Sequence, residues 1–233
     1  MTYKRALIIG AGPGVSGSFA RAFVAAGGEA HLAARTTAKL SAVADETGAT
    51  LHACDAADRS DIARLFAEVE ARHGAPDVLV YNPSARVPGE ITEIDGAAVE
   101  AAVQITALGA FHAAQEAAKR MAPNGHGAIL LTGATAGVKG YPRSAAFAMG
   151  KFALRGLAQS LARELHPKGV HVGHFVIDGG VRNPARPERV DAPDNPDSML
   201  DPDAIAREYM NLLNQERSCW SWEVDIRPWV ERF

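Results

Sequence analysis

Hydrophobic positions along the chain fall into short continuous runs separated by longer stretches with helical spacing. Six runs read as strands: residues 6–9 (Ala-Leu-Ile-Ile), 29–33, 50–54, 77–81, 128–132 and 170–177. Runs apolar on both faces that alternate with helices belong to a parallel sheet covered on two sides. Between them, Val15, Phe19, Ala22, Phe23 and Ala26 recur at helical spacing, and Gly27-Gly28 supplies a stop. Ile62, Leu65, Phe66 and Val69 do the same behind an Asp58 cap and ahead of His73-Gly74. Thr36 or Thr37 is placed to cap a short helix carrying Leu40 and Val43 that Gly48 ends. Longer helices are expected over 97–121 and 144–165, with a last one over 203–213. The predicted fold class is therefore α/β, a doubly wound parallel sheet in a single domain spanning 1–233.

Two segments depart from this rhythm. Residues 183–202 hold Pro184, Pro187, Pro193, Pro196 and Pro202 among charges, which precludes regular structure for long. A loop of that length in a compact domain is either a lid over a site or a disordered excursion. Residues 220–226 alternate apolar and polar, as in a strand with one exposed face, so a C-terminal strand is expected within 219–228.

Composition narrows the function classes. At 233 residues with a formal net charge of −3 and no basic stripe, the chain offers one substantial core and no nucleic-acid surface. No apolar run approaches the roughly 18 residues of a membrane span, and the four apolar residues after Lys4-Arg5 are too few for a signal peptide. A cytoplasmic protein with small-molecule partners is expected. Cys54 and Cys219 lie far apart and read as reduced thiols. His171 and His174, three apart on a strand, point to opposite faces, and no other ligand-type spacing stands out, so no metal site is expected.

The chemistry is concentrated in the opening residues. The run 6–9 breaks into Gly10-Ala11-Gly12-Pro13-Gly14-Val15-Ser16-Gly17 and then into a helix. Strand, bare turn, helix, stop and second strand within about thirty residues is the βαβ context of a Rossmann-type dinucleotide site. The helix start turns free N–H groups and the positive dipole end toward an anion, here the diphosphate.

From the first strand through about Arg182 the chain resembles the short-chain dehydrogenase/reductase family. That family's opening turn, Gly-x-x-x-Gly-x-Gly, is matched by Gly10 and Gly14, with Ser16 in place of the last glycine. A serine Cβ must then fit where backbone packs closely, although its hydroxyl is able to donate to a phosphate. Arg35 stands just after the second strand, with no Asp or Glu there to hold a ribose 2′-hydroxyl, so the resemblance implies NADP(H) in preference to NAD(H). Asp55 matches an acidic residue beside the adenine. Asn82 is the residue kept where the family has Asn-Asn-Ala-Gly, and a turn residue bonding its own backbone is its alternative role. Asp178-Gly179 matches the Pro-Gly turn lining the nicotinamide, and residues 183–202 occupy the place of the family's lid.

The same resemblance implies an Asn, a Ser and a Tyr-x-x-x-Lys as the catalytic set, and here the sequence departs. Lys151 is retained, with Phe147 at the Tyr position, Ala134 at the Ser position and Thr106 at the Asn position. Phenylalanine has no proton to give, and loss of a general acid costs a factor of about 10² to 10⁴ in rate. Candidate substitutes for the missing donor are Thr135, Tyr141 and Ser144, with Asp178 or water as further possibilities. Lys151 is placed either to hold the nicotinamide ribose or to snorkel to solvent.

Two functions follow. One is an oxidoreductase using NADP(H) on a small carbonyl or alcohol with a non-standard proton donor. The other is a catalytically silent dinucleotide-binding protein of the same fold, a sensor or scaffold. Trp220, Trp222 and Trp229 either pack on the core or, with Arg227, contribute to a homo-oligomer, a dimer or tetramer.

Overall fold

A computed structural model describes residues 2–183 and 186–231. Seven strands form one parallel sheet in the order β3-β2-β1-β4-β5-β6-β7: β1 (Arg5–Ile9), β2 (Glu29–Ala34), β3 (Thr50–Ala53), β4 (Val78–Tyr81), β5 (Gly127–Thr132), β6 (Val170–Ile177) and β7 (Glu223–Ile226). Because successive residues of a strand face opposite ways, Ile8 and Val80 enter one core and Leu7, Ile9 and Leu79 the other. Burial on both faces is why the central strands read as unbroken apolar runs.

The first core is closed by α1 (Val15–Ala25), α2 (Ser41–Thr47) and α7 (Pro202–Leu213), around Phe19, Phe23 and Tyr209. The second is closed by α3 (Arg59–His73), α5 (Gly109–Met121) and α6 (Ala145–Leu165). Asp58 caps α3 as expected, its carboxylate accepting from Ser60 N and Asp61 N. Neither threonine caps the helix before Gly48. A 3-10 turn, Ala38–Leu40, leads into α2 with no side-chain cap, while Gly48 ends it at φ +68°.

The helix expected over 97–121 is interrupted. α4 (Gly96–Val103) passes through a π turn, Gln104–Leu108, into α5. The stretch Gly96–Asn124, with mean hydropathy 1.3 in its best window, is long and apolar enough to cross a membrane by length and composition, contrary to the expectation that nothing here approaches that. Its Ala110, Ala113, Ala114 and Ala117 are buried in the second core.

The C-terminal strand is shorter than the alternation suggests. Arg217–Cys219 is a 3-10 turn and only Glu223–Ile226 pairs, parallel to β6. Trp220 stacks on buried His171 with ring centroids 4.4 Å apart, Trp222 packs on the second core, and Trp229 is 77% exposed. The sheet order reverses direction between β1 and β4, and a crevice opens beyond their C-terminal ends. The proline-rich segment is tied to Arg182, whose guanidinium pairs with Asp191, Asp197 and Asp201. Pro184 and Ala185 of that segment lie outside the described residues.

Candidate functional site

The turn after β1 is built on two constraints. Gly10 sits at φ +75°, and a Cβ there would come within 2.6 Å of the Pro83 ring. At Gly12 and Gly14 the opposite holds, because a Cβ would meet nothing within 4 Å. Their bareness leaves backbone open to an approaching ligand. α1 starts at Val15 with no side-chain cap, so its first N–H groups remain for an anion. Ser16 is buried at 2% exposure, and its hydroxyl accepts from Asn82 Nδ2 at 3.1 Å. The same amide donates to Gly10 O at 3.2 Å. Asn82 therefore ties β4 to the turn, and Ser16 faces Asn82 instead of an open phosphate site.

Beyond this turn lies a cavity of about 740 Å³. Arg35, Thr36 and Lys39 line it from the end of β2, Asp55 from the end of β3, and Arg186 from the proline-rich segment. Asp55 is partly held by its own loop, Oδ1 accepting from Ala57 N at 3.0 Å. Three cations against one carboxylate suit a polyanionic ligand.

A second cavity of about 340 Å³ gathers Ala134, Thr135, Tyr141, Ser144, Phe147 and Asp178. Thr135 Oγ1 donates to Asp178 Oδ1 at 2.5 Å, and Asp178 Oδ2 lies 3.3 Å from Arg227 Nη1. Ser144 Oγ donates to Tyr141 O at 3.0 Å. It stands at the N-cap of α6 without capping it. The Tyr141 phenol has no acceptor among the described residues, and its ring is 45% exposed. Gly179, at φ +143°, packs where a Cβ would fall 2.7 Å from the Pro228 ring.

Lys151 is not a snorkelling residue. It is 2% exposed, and Nζ donates to Thr132 O at 2.6 Å. Burial pushes its pKa down to about 7, and the charge of Arg86 adds to the effect. The Arg86 guanidinium carbon lies 4.3 Å from the Phe147 ring centroid, and Lys151 Nζ 5.9 Å from it. The Arg86 guanidinium and the Lys151 amine thus face one aromatic ring with no carboxylate bonded to either among the described residues. Arg86 is the site residue that sequence reasoning missed. It belongs to no spaced motif, and its loop position between Pro83 and Pro88 is its lone signal. Thr106, in the π turn, is buried and its Oγ1 accepts from Ala85 N at 3.2 Å.

Comparison with known proteins places this architecture. A cyclic-di-GMP-binding biofilm dispersal mediator protein of Escherichia coli is 34% identical over 190 residues, covering 80% of this chain and 76% of its own. A short-chain dehydrogenase from Rhodopseudomonas palustris superposes with a TM-score of 0.82 at 31% identity, over 97% of this chain and 99% of that one. A metagenomic short-chain oxidoreductase in complex with NADP gives a TM-score of 0.83 at 28% identity, over 97% of both. With residues 4–191 matching the family model for short chain dehydrogenase, the chain belongs to the short-chain dehydrogenase family.

Proposed function

We propose that the chain is an NADP(H)-dependent oxidoreductase acting on a small carbonyl or alcohol, with Tyr141 as its proton donor. The observation that carries this reading is the group of Arg35, Lys39 and Arg186 around one cavity, with no carboxylate at the end of β2. An acidic residue there would select a free ribose 2′-hydroxyl, whereas cations suit a 2′-phosphate. The open backbone at Gly12 and Gly14 and the uncapped start of α1, Val15 and Ser16 included, fit a diphosphate. Residues 183–202 serve as the lid, since Arg186 reaches the cavity from that segment.

The cofactor supplies the hydride that reduces the carbonyl carbon. The chain's own task is to bind the substrate and deliver a proton to its oxygen. Thr135 and Ser144 already donate to Asp178 and to Tyr141 O, which leaves the Tyr141 phenol as the hydroxyl free to protonate that oxygen and be restored by water. Arg86, joined by Lys151 where its amine is protonated at and below about pH 7, adds positive charge beside Phe147, which stabilises a developing alkoxide and favours an anionic substrate. Gly179, which lines the same cavity as Tyr141 and Phe147, would let the backbone approach a nicotinamide bound there. Exposed Leu108, Phe111, Met149 and Phe152 on α5, α6 and the π turn support a homo-oligomer.

A second reading is a binding protein without turnover. It is favoured by the relative named for cyclic-di-GMP binding and by Phe147 and Ala134, which carry no transferable proton. Titration of nicotinamide fluorescence tests the cofactor assignment, and activity assays separate the readings. NADPH is expected to bind more tightly than NADH, and Arg35→Ala to erase most of that difference; equal losses for both would remove the NADP assignment. Activity on a panel of activated, anionic carbonyls is expected to fall by about 10² to 10⁴ in Tyr141→Phe. Absence of activity in the native protein, appearing in the Phe147→Tyr, Ala134→Ser double variant, would establish the silent binder.

A further inference from the structure

At the opposite end of the sheet from the crevice, the start of β2 meets the end of α3. Glu29 opens β2, His31 follows on the face covered by α3, and His73 is the last residue of α3. β2 runs from Glu29 to Ala34, so this point lies about 20 Å from Arg35 at roughly 3.3 Å per residue.

Glu29 Oε1 lies 2.9 Å from His73 Nδ1 and 3.3 Å from His31 Nε2, and the three atoms are all within 4.8 Å of one another. Tetrahedral zinc, with ligand bonds of about 2.0–2.1 Å, sets its donors about 3.3 Å apart. His31 is fully buried, and its Nε2 makes no hydrogen bond, the carboxylate contact being misdirected for one. A buried ring nitrogen without a partner is costly and calls for an occupant.

Proton counting sharpens this. His31 Nδ1 lies 3.2 Å from His52 Nε2, and His52 Nδ1 lies 3.9 Å from Glu68 Oε1. The chain Glu29, His31, His52, Glu68 thus has three contacts, and two neutral imidazoles supply two protons. With the His52 proton directed toward Glu68, His31 donates through Nδ1 to His52 and its Nε2 is left without a proton. When His31 donates through Nδ1 to His52, its Nε2 lone pair faces Glu29 and His73. That is how metal-bound histidines are generally held, the second ring nitrogen donating to a partner. Arg5 Nε lies 3.5 Å from Glu29 Oε2 without a hydrogen bond to it, and the two imidazoles approach Oε1.

We propose that Glu29, His31 and His73 form a binding site for a divalent transition cation of the zinc type, separate from the dinucleotide crevice. Two imidazoles and a carboxylate are borderline donors that suit zinc, cobalt or nickel over calcium or magnesium. Glu29 and His73 are partly exposed, which admits the ion and leaves a fourth position to water.

The test is calorimetric titration of the chelator-treated full chain with Zn²⁺, and in parallel with Co²⁺ followed by visible absorption. Uptake of one ion per chain is expected, with the intense visible bands of tetrahedral cobalt. Glu29→Gln and His73→Ala, both at partly exposed positions, should each weaken uptake by at least about tenfold. His126→Ala, elsewhere on the surface, should not. Far-ultraviolet circular dichroism of each metal-free variant separates lost ligands from lost fold. No saturable uptake, or uptake that survives both substitutions in folded protein, would overturn the proposal, and neither result bears on NADPH binding.

Discussion

Lys151 carries its amine where one backbone carbonyl is its hydrogen-bond partner. Its folded pKa of about 7 lies below the ordinary value of 10.5, so between those pH values the unfolded chain holds a proton that the folded chain has released. Stability from this group therefore rises with pH through that window, by roughly 1.4 kcal/mol per pH unit, and its cost is complete below pH 7. Lys151→Met is expected to be more stable than the native protein at pH 7, with the gap closing toward pH 10. Thermal midpoints across that range would show it, and a gap independent of pH would mean the amine is not held neutral. Lys151 and Phe147 were legible in the sequence because both sit in a spaced motif on one helix. Arg86 was not, and neither was the meeting of His31 with His73, since contacts between distant elements leave no local spacing.

At the scale of elements, strands were legible because both faces are buried, and helices because their apolar stripes keep a 3.6-residue period. The π turn at Gln104–Leu108 was not, since one extra residue per turn scarcely disturbs an alanine-rich stripe. The chemical positions depend on that turn. α6 crosses it at Gly150, where an added Cβ would lie 2.8 Å from Thr106 Cβ. Gly150→Ala gains up to about 1 kcal/mol of helix propensity, but overpacking costs about 1–3 kcal/mol. The expected net result is a lower denaturant midpoint, with α6 and its Phe147 and Lys151 pushed away from the turn. An unchanged or higher midpoint would show that the helices separate freely there. The shortened β7 has a similar lesson, because Trp220 is drawn out of the alternation by its stack on His171.

Across the whole molecule, four buried histidines make the fold sensitive to acid. Burial lowers the pKa of His31 and His171 to about 4 and also lowers those of His52 and His174. Between about pH 4 and the ordinary 6.5 the unfolded chain binds more protons, so stability is complete above 6.5 and declines as pH falls through that interval. Urea midpoints are expected to drop from pH 7 to pH 5, and to drop less in His171→Phe, which keeps a ring against Trp220. An equal drop in both would assign the acid sensitivity elsewhere. The amide of Asn82, meanwhile, clasps Gly10 and Ser16 through bonds wholly within the chain. That half of the crevice is assembled on folding, so an arriving diphosphate meets a finished mould and its capture is governed by encounter instead of by rearrangement.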